Sequence, residues 1–262
     1  MSDRIAALEL TDLGKTYDTG HAPLDGVTFR IEAGSIAGFI GLNGAGKTTT
    51  IRIIAGLLRP DRGSVRVFGH DVHPGGTAHL RDSGYVLDEP MYFDWMTPPD
   101  YLRFVGTLHG LPAVERERRS AELLDFFDLS PRSHDPIAVF STGMKKKVSL
   151  AAAMIHRPRL LVLDEPLEGI DALAASAIKE TLMSMARQGT AVLITSHVLD
   201  TIERLCTEIL MLHGGTIVMR GETHVLRAKA LEDLPPGADP SLEGLFVRTV
   251  AGTGSRRPLS YL

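Results

Sequence analysis

The sequence predicts an α/β fold with a parallel sheet at its centre, to which an antiparallel β subdomain and an α-helical subdomain are attached. Three observations predict it. Gly41-Leu42-Asn43-Gly44-Ala45-Gly46-Lys47-Thr48-Thr49 fits the pattern G-x-x-x-x-G-K-[ST] at every constrained position. Ser35-Ile36-Ala37-Gly38-Phe39-Ile40 before it reads as a buried strand, and Thr49 to Leu57 after it reads as a helix. Further on, Leu160-Leu161-Val162-Leu163 is a continuous apolar run, as a central parallel strand requires, and it ends in Asp164-Glu165-Pro166.

Taken in chain order, Val27-Thr28-Phe29-Arg30-Ile31 and Val65-Arg66-Val67-Phe68 are short β-type runs bounded by Gly and Pro, and they supply the antiparallel subdomain. Between them lies the P-loop. Its small residues, Gly41 to Gly46, let consecutive backbone N–H groups curl around phosphate oxygens. Lys47 is placed to reach the β- and γ-phosphates as a point charge, the Thr48 hydroxyl to ligate Mg²⁺, and the following helix presents its positive end to the anion. This is a P-loop NTPase core, and the chain is expected to bind a nucleoside triphosphate. Residues 97–130 read as helical: Thr97 is an N-cap ahead of Pro98, and the stretch from Glu115 repeats apolar residues at Ala121, Leu124 and Phe127. Ligands of open α/β sheets sit beyond the carboxyl ends of the strands, so Asp164 and Glu165 should emerge beside the P-loop. One suits the hydration shell of Mg²⁺ and the other can polarise a water. Leu212-His213-Gly214-Gly215-Thr216 reads as a hairpin turn. Residues 1–232 are thus expected to form the nucleotide-binding domain, with the helical subdomain at about 90–157. Residues 233–262 are expected to hold a linker, a short helix from Ser241 to Val250, and a polar tail.

Three local features have plain readings. His70, His73 and His79 lie on a turn-rich segment without metal-ligand spacing and read as a solvated loop. Lys145-Lys146-Lys147 reads as facing phosphates or solvent, not as a nucleic-acid patch. Residues 90–99 carry Met91, Tyr92, Phe93, Trp95 and Met96, which is apolar for a loop and suits either packing under the helices or a partner groove.

Composition narrows the classes. A formal net charge of −4 over 262 residues gives no basic field to hold nucleic acid, so no nucleic-acid partner is expected. Cys206 is the only cysteine, which excludes an internal disulfide and any cysteine-based zinc site. No apolar run approaches the length of a bilayer span, and Met1-Ser2-Asp3-Arg4 opens without a secretory apolar region.

Phe140-Ser141-Thr142-Gly143-Met144-Lys145-Lys146-Lys147 identifies a family by resemblance. It is similar to the L-S-G-G-Q signature of the ATP-binding cassette (ABC) ATPases, with Ser141 and Gly143 kept, and its Met-Lys-Lys-Lys continuation looks like the variant of bacterial exporter-type cassettes. The other family elements follow in order over roughly residues 5 to 230. Tyr17 resembles the aromatic that stacks on adenine. Glu168-Gly169-Ile170-Asp171 resembles the D-loop, with Asp171 as its acid, and Thr195-Ser196-His197 resembles the switch-histidine segment. Two positions depart: Met144 replaces the signature glutamine, and Asp88 stands where the Q-loop glutamine should follow Gly84-Tyr85-Val86-Leu87.

The resemblance implies an ABC ATPase fold and ATP hydrolysis with Mg²⁺. It casts Lys47 and the amides of Gly41, Leu42, Asn43, Gly44, Ala45 and Gly46 as triphosphate binders, and Thr49 as an α-phosphate donor. Thr48, Asp164 and Asp88 become Mg²⁺ contacts, Glu165 the general base, and His197 the γ-phosphate sensor. Ser141, Gly143 and Asp171 are implied to act on the nucleotide of a second cassette, in a homodimer or heterodimer. A separate transmembrane permease is the implied partner, which places the chain in the cytoplasm, peripheral on the inner face of the membrane. The competing readings are a soluble ABC-type ATPase of DNA repair or translation, and a P-loop enzyme that phosphorylates a small molecule. Against the first, there is neither a long coiled coil between P-loop and signature nor a second cassette.

Overall fold

The computed structural model describes residues 6–88, 92–232, 239 and 241–251. In chain order the strands and helices of its first half are β1 (Leu8–Lys15), β2 (Leu24–Ile31), β3 (Ile36–Gly41), α1 (Lys47–Ile54), β4 (Arg62–Val67), β5 (His70–Asp71), β6 (Ser83–Val86), α2 (Pro98–Leu108) and α3 (Ala113–Phe126). The second half holds α4 (Thr142–Met154), β7 (Leu160–Leu163), α5 (Ala172–Arg187), β8 (Ala191–Ile194), α6 (Leu199–Leu205), β9 (Glu208–His213), β10 (Thr216–Glu222), α7 (Thr223–Glu232) and α8 (Leu242–Ala251).

One sheet has the order β10-β9-β3-β8-β7-β6, parallel from β9 to β6 and closed at one edge by antiparallel β10. The other has the order β2-β1-β4-β5, antiparallel throughout. The unbroken apolar runs of β3 and β7 follow from burial on both faces. Ile36, Ile40, Leu161 and Leu163 enter the core shared with α4, α5 and α6, whereas Ala37, Phe39, Leu160 and Val162 enter the core beneath the antiparallel sheet and α1. Period-two alternation thus splits one strand between two cores.

The helical elements form for local reasons. Thr97 caps α2, its hydroxyl accepting from Asp100 N, and Pro98 occupies the first helical position, where its missing N–H costs nothing. Helix α1 ends at Ile54 and not at Leu57, because Gly56 turns to φ +71° and Leu57 N reaches back to Arg52 O at 2.9 Å. Among the described residues, no helix is long and apolar enough to cross a membrane. The linker at 234–240 lies outside the described residues apart from Asp239, as does the tail from 252.

Two local expectations need correction, and a third divides. His79 is not solvated: it sits in a 3-10 turn, 1% exposed, with the edge of its ring against Tyr85. Lys146 is only 5% exposed, its Nζ turned inward onto Asp164 O at 3.3 Å. Within residues 92–96, Tyr92 turns inward, its hydroxyl donating to Lys145 O at 2.5 Å, while Phe93 and Trp95 stay exposed. Met91 lies outside the described residues.

Candidate active site

Three strand ends build the site. Strands β3, β8 and β7 are neighbours, with Gly38 and Leu163 both registered on Ile194, so their carboxyl ends deliver the P-loop, Thr195 and Asp164 to one edge of the sheet. The P-loop turns at Gly46 (φ +110°), where a β-carbon would lie 2.3 Å from Pro23 O, so only glycine fits. Helix α1 then begins at Lys47 with no side chain capping it, which leaves first-turn N–H groups for an anion.

The charged groups converge behind that loop. Lys47 Nζ donates to Gly41 O at 2.7 Å and Leu42 O at 3.3 Å. Burial holds its pKa below the usual lysine value, against the opposing pull of the Glu165 and Asp164 carboxylates. Asp164 is 2% exposed; its Oδ1 accepts from the Thr195 hydroxyl at 2.6 Å and its Oδ2 from the Thr48 hydroxyl at 3.2 Å. A hydroxyl and a carboxylate side by side form the all-oxygen set that a hard cation such as Mg²⁺ takes, so Thr48 and Asp164 fit that ion.

Glu165 adopts φ +46°, a left-handed conformation uncommon outside glycine. Its backbone N–H is anchored on Thr195 Oγ1 at 2.9 Å. Its Oε2 accepts from His197 N at 3.3 Å and lies 3.0 Å from His197 Nδ1. A cleft of about 300 Å³ lined by Glu165, Thr195, Ser196 and His197 opens beside the carboxylate. The phenol of Tyr17 comes within 3.5 Å of Thr49 Oγ1, which sets its ring against the first turn of α1.

The remaining candidates are elsewhere. Asp88 is exposed and lines a cleft of about 710 Å³ with Tyr92, Lys145, Lys146 and Glu168; no hydrogen bond among the described residues joins it to Thr48 or Asp164. Ser141 caps α4, accepting from Met144 N at 3.3 Å. Gly143 is pressed against the D-loop, where a β-carbon would stand 2.1 Å from Gly169 O. Asp171 caps α5 through Ala174 N at 2.9 Å and pairs with Lys147 at 3.3 Å. No hydrogen bond among the described residues links Ser141, Gly143 or Asp171 to residues 41–49. Sequence reasoning missed two contributors: Thr195, visible there only as the residue ahead of Ser196-His197, and Lys146, hidden in a run of three lysines.

Residues 24–168 match the ABC transporter family. The ABC-type transporter ATP-binding protein EcsA of Bacillus subtilis is 35% identical over 236 residues, which cover 88% of this chain and 95% of that protein. The daunorubicin/doxorubicin resistance ATP-binding protein DrrA of Streptomyces peucetius is 34% identical over 222 residues, 85% of this chain and 67% of that protein. A solved ATP-binding subunit of an ABC transporter superposes with a TM-score of 0.85 at 35% identity, over 93% of this chain and 99% of its own. The order of P-loop, signature and acidic strand end, the two-sheet architecture and these relatives agree: the chain belongs to the ATP-binding subunits of ABC transporters and is an ATPase of that family.

Proposed function

We propose that this chain powers export by hydrolysing ATP against a second cassette, while docked on a separate permease at the inner face of the membrane. The observation that carries the catalytic part is the Glu165 carboxylate, held between His197 and the Thr195-anchored backbone beside Asp164 and Thr48. In this reading the P-loop amides and Lys47 bind the triphosphate, Tyr17 stacks on the base, and Thr49 donates to the α-phosphate. Thr48 and Asp164 hold Mg²⁺, which when bound neutralises charge on the β- and γ-phosphates. Glu165 accepts a proton from the attacking water, and His197 holds the carboxylate and the γ-phosphate in line.

Ser141 and Gly143 complete the site of the other subunit in a head-to-tail pair. The exposure of Ser141, and the absence among the described residues of any hydrogen bond from either to residues 41–49, support that role. Export is supported by the signature variant and by the drug-resistance relative. The exposed pair Phe93 and Trp95, with Phe104 edge-on to Phe93, supports a docking face for a permease helix. The test is turnover of the purified protein with Mg²⁺. Glu165→Gln should keep ATP binding while turnover falls about a hundred- to ten-thousandfold, as loss of a general base does. Near-normal turnover in that variant refutes the assignment.

A further inference from the structure

Lys146 is 5% exposed, in the second turn of the helix that Ser141 caps. A buried ammonium needs a partner, because removing it from water without one costs far more than any single contact returns. Its Nζ donates at 3.3 Å to the main-chain carbonyl of Asp164. That carbonyl belongs to the peptide joining Asp164 to Glu165, and the N–H of the same peptide is anchored on Thr195 Oγ1 at 2.9 Å. The peptide is therefore gripped at both ends, from α4 on one side and from the end of β8 on the other. The residue that follows is the one with φ +46°, a conformation that persists only where its surroundings hold it.

We propose that Lys146 is a positioning residue for hydrolysis: it clamps the Asp164–Glu165 peptide and so aims the Glu165 carboxylate. This rests on the reading of Glu165 as general base. Because Ser141 lies on the same helix, the clamp also ties the surface that meets the second cassette to the base of this chain's own site. Asp88 and Glu168 line the same cleft as Lys146.

The experiment measures kcat, KM for ATP and equilibrium ATP affinity in the full chain carrying Lys146→Met, Lys146→Arg or Lys146→Gln. Met keeps the bulk and deletes the donor. We expect kcat to fall about ten- to a hundredfold, the scale of a misaimed catalytic group, with KM and ATP affinity within about twofold. Arg, which keeps a cationic donor of similar reach, should recover most of the loss; Gln, one bond shorter and uncharged, should not. In a Glu165→Gln background, Lys146→Met should add no further loss, since the two act as one unit. Wild-type kcat in Lys146→Met or Lys146→Gln overturns the proposal, as does a parallel loss of ATP affinity or a full additional loss in the double variant. Should Lys146→Met not fold, the Arg-against-Gln comparison decides alone. Glu165→Gln by itself reports on the base, so near-normal turnover there refutes that reading independently of any Lys146 result.

Discussion

The two ends of the nucleotide machinery are built differently. At the P-loop end, six side chains from two strand ends and α1 knit together: Thr48 and Thr195 on Asp164, His197 on Glu165, and Lys47 in the field of both carboxylates. At the signature end, Ser141 spends its hydroxyl on its own helix and Gly143 packs on Gly169, and no hydrogen bond among the described residues joins either to residues 41–49. The first region is a site that one chain can assemble. The second is not tied to that site, which is the contrast that the proposed sharing of chemistry between two subunits requires.

The largest expected effect breaks that comparison directly. With Glu165→Gln trapping ATP, sedimentation should show pairing that an added Ser141→Arg abolishes, and Ser141→Arg alone should lower turnover at least about a hundredfold. Gly143→Asp is the poorer probe, since any side chain there collides with Gly169 O within the chain. A dimer that survives Ser141→Arg would remove the signature surface from the interface.

His197→Ala comes next. It takes one partner from Glu165 and leaves Thr195 and Lys146 holding the backbone, so kcat should drop roughly a hundredfold with ATP affinity little changed. A loss confined to KM would make His197 a binding residue only.

A smaller effect separates the two regions by acid. At the foot of the helical subdomain the rings of His109 and His156 stack 3.6 Å apart. Burial first, then His109 and Arg119, push His156 down to about 4, with Ser83 O and Asp82 opposing; burial likewise lowers His109. Between pH 6.5 and about 4 the unfolded chain binds protons that the fold refuses, so stability is lost as pH falls through that window. His156→Phe should flatten the pH dependence of Tm there by a few degrees, about the response to 1 kcal/mol in a chain of this size. An unchanged slope would show that other groups set it.

The smallest effect is expected at Asp88. Asp88→Gln restores the family's usual side chain, and basal ATPase should stay within about threefold, because Thr48 and Asp164 form the oxygen pair without it. The Mg²⁺ concentration for half-maximal rate should not move. A large shift would assign Asp88 to the metal; neighbouring Glu89 lies outside the described residues.

The sequence by itself determined the P-loop, the acidic end of β7, the signature and the histidine segment. Each is a contiguous stretch whose chemistry depends on residues adjacent in the chain, so spacing alone exposes it. Apolar runs at 36–40 and 160–163 likewise announced strands buried on both faces. Tertiary structure alone decided that Thr195 serves Asp164 and Glu165 together, that Lys146 reaches the Asp164 carbonyl across 18 residues of sequence, and that Tyr92 turns inward while Trp95 does not. It also put His79 under the fold and Asp88 in one cleft with Lys145 and Lys146. The reason is common to all of them. A side chain's partner across a sheet edge or between helices is set by how elements pack, and packing joins residues whose separation along the chain carries no periodic signal.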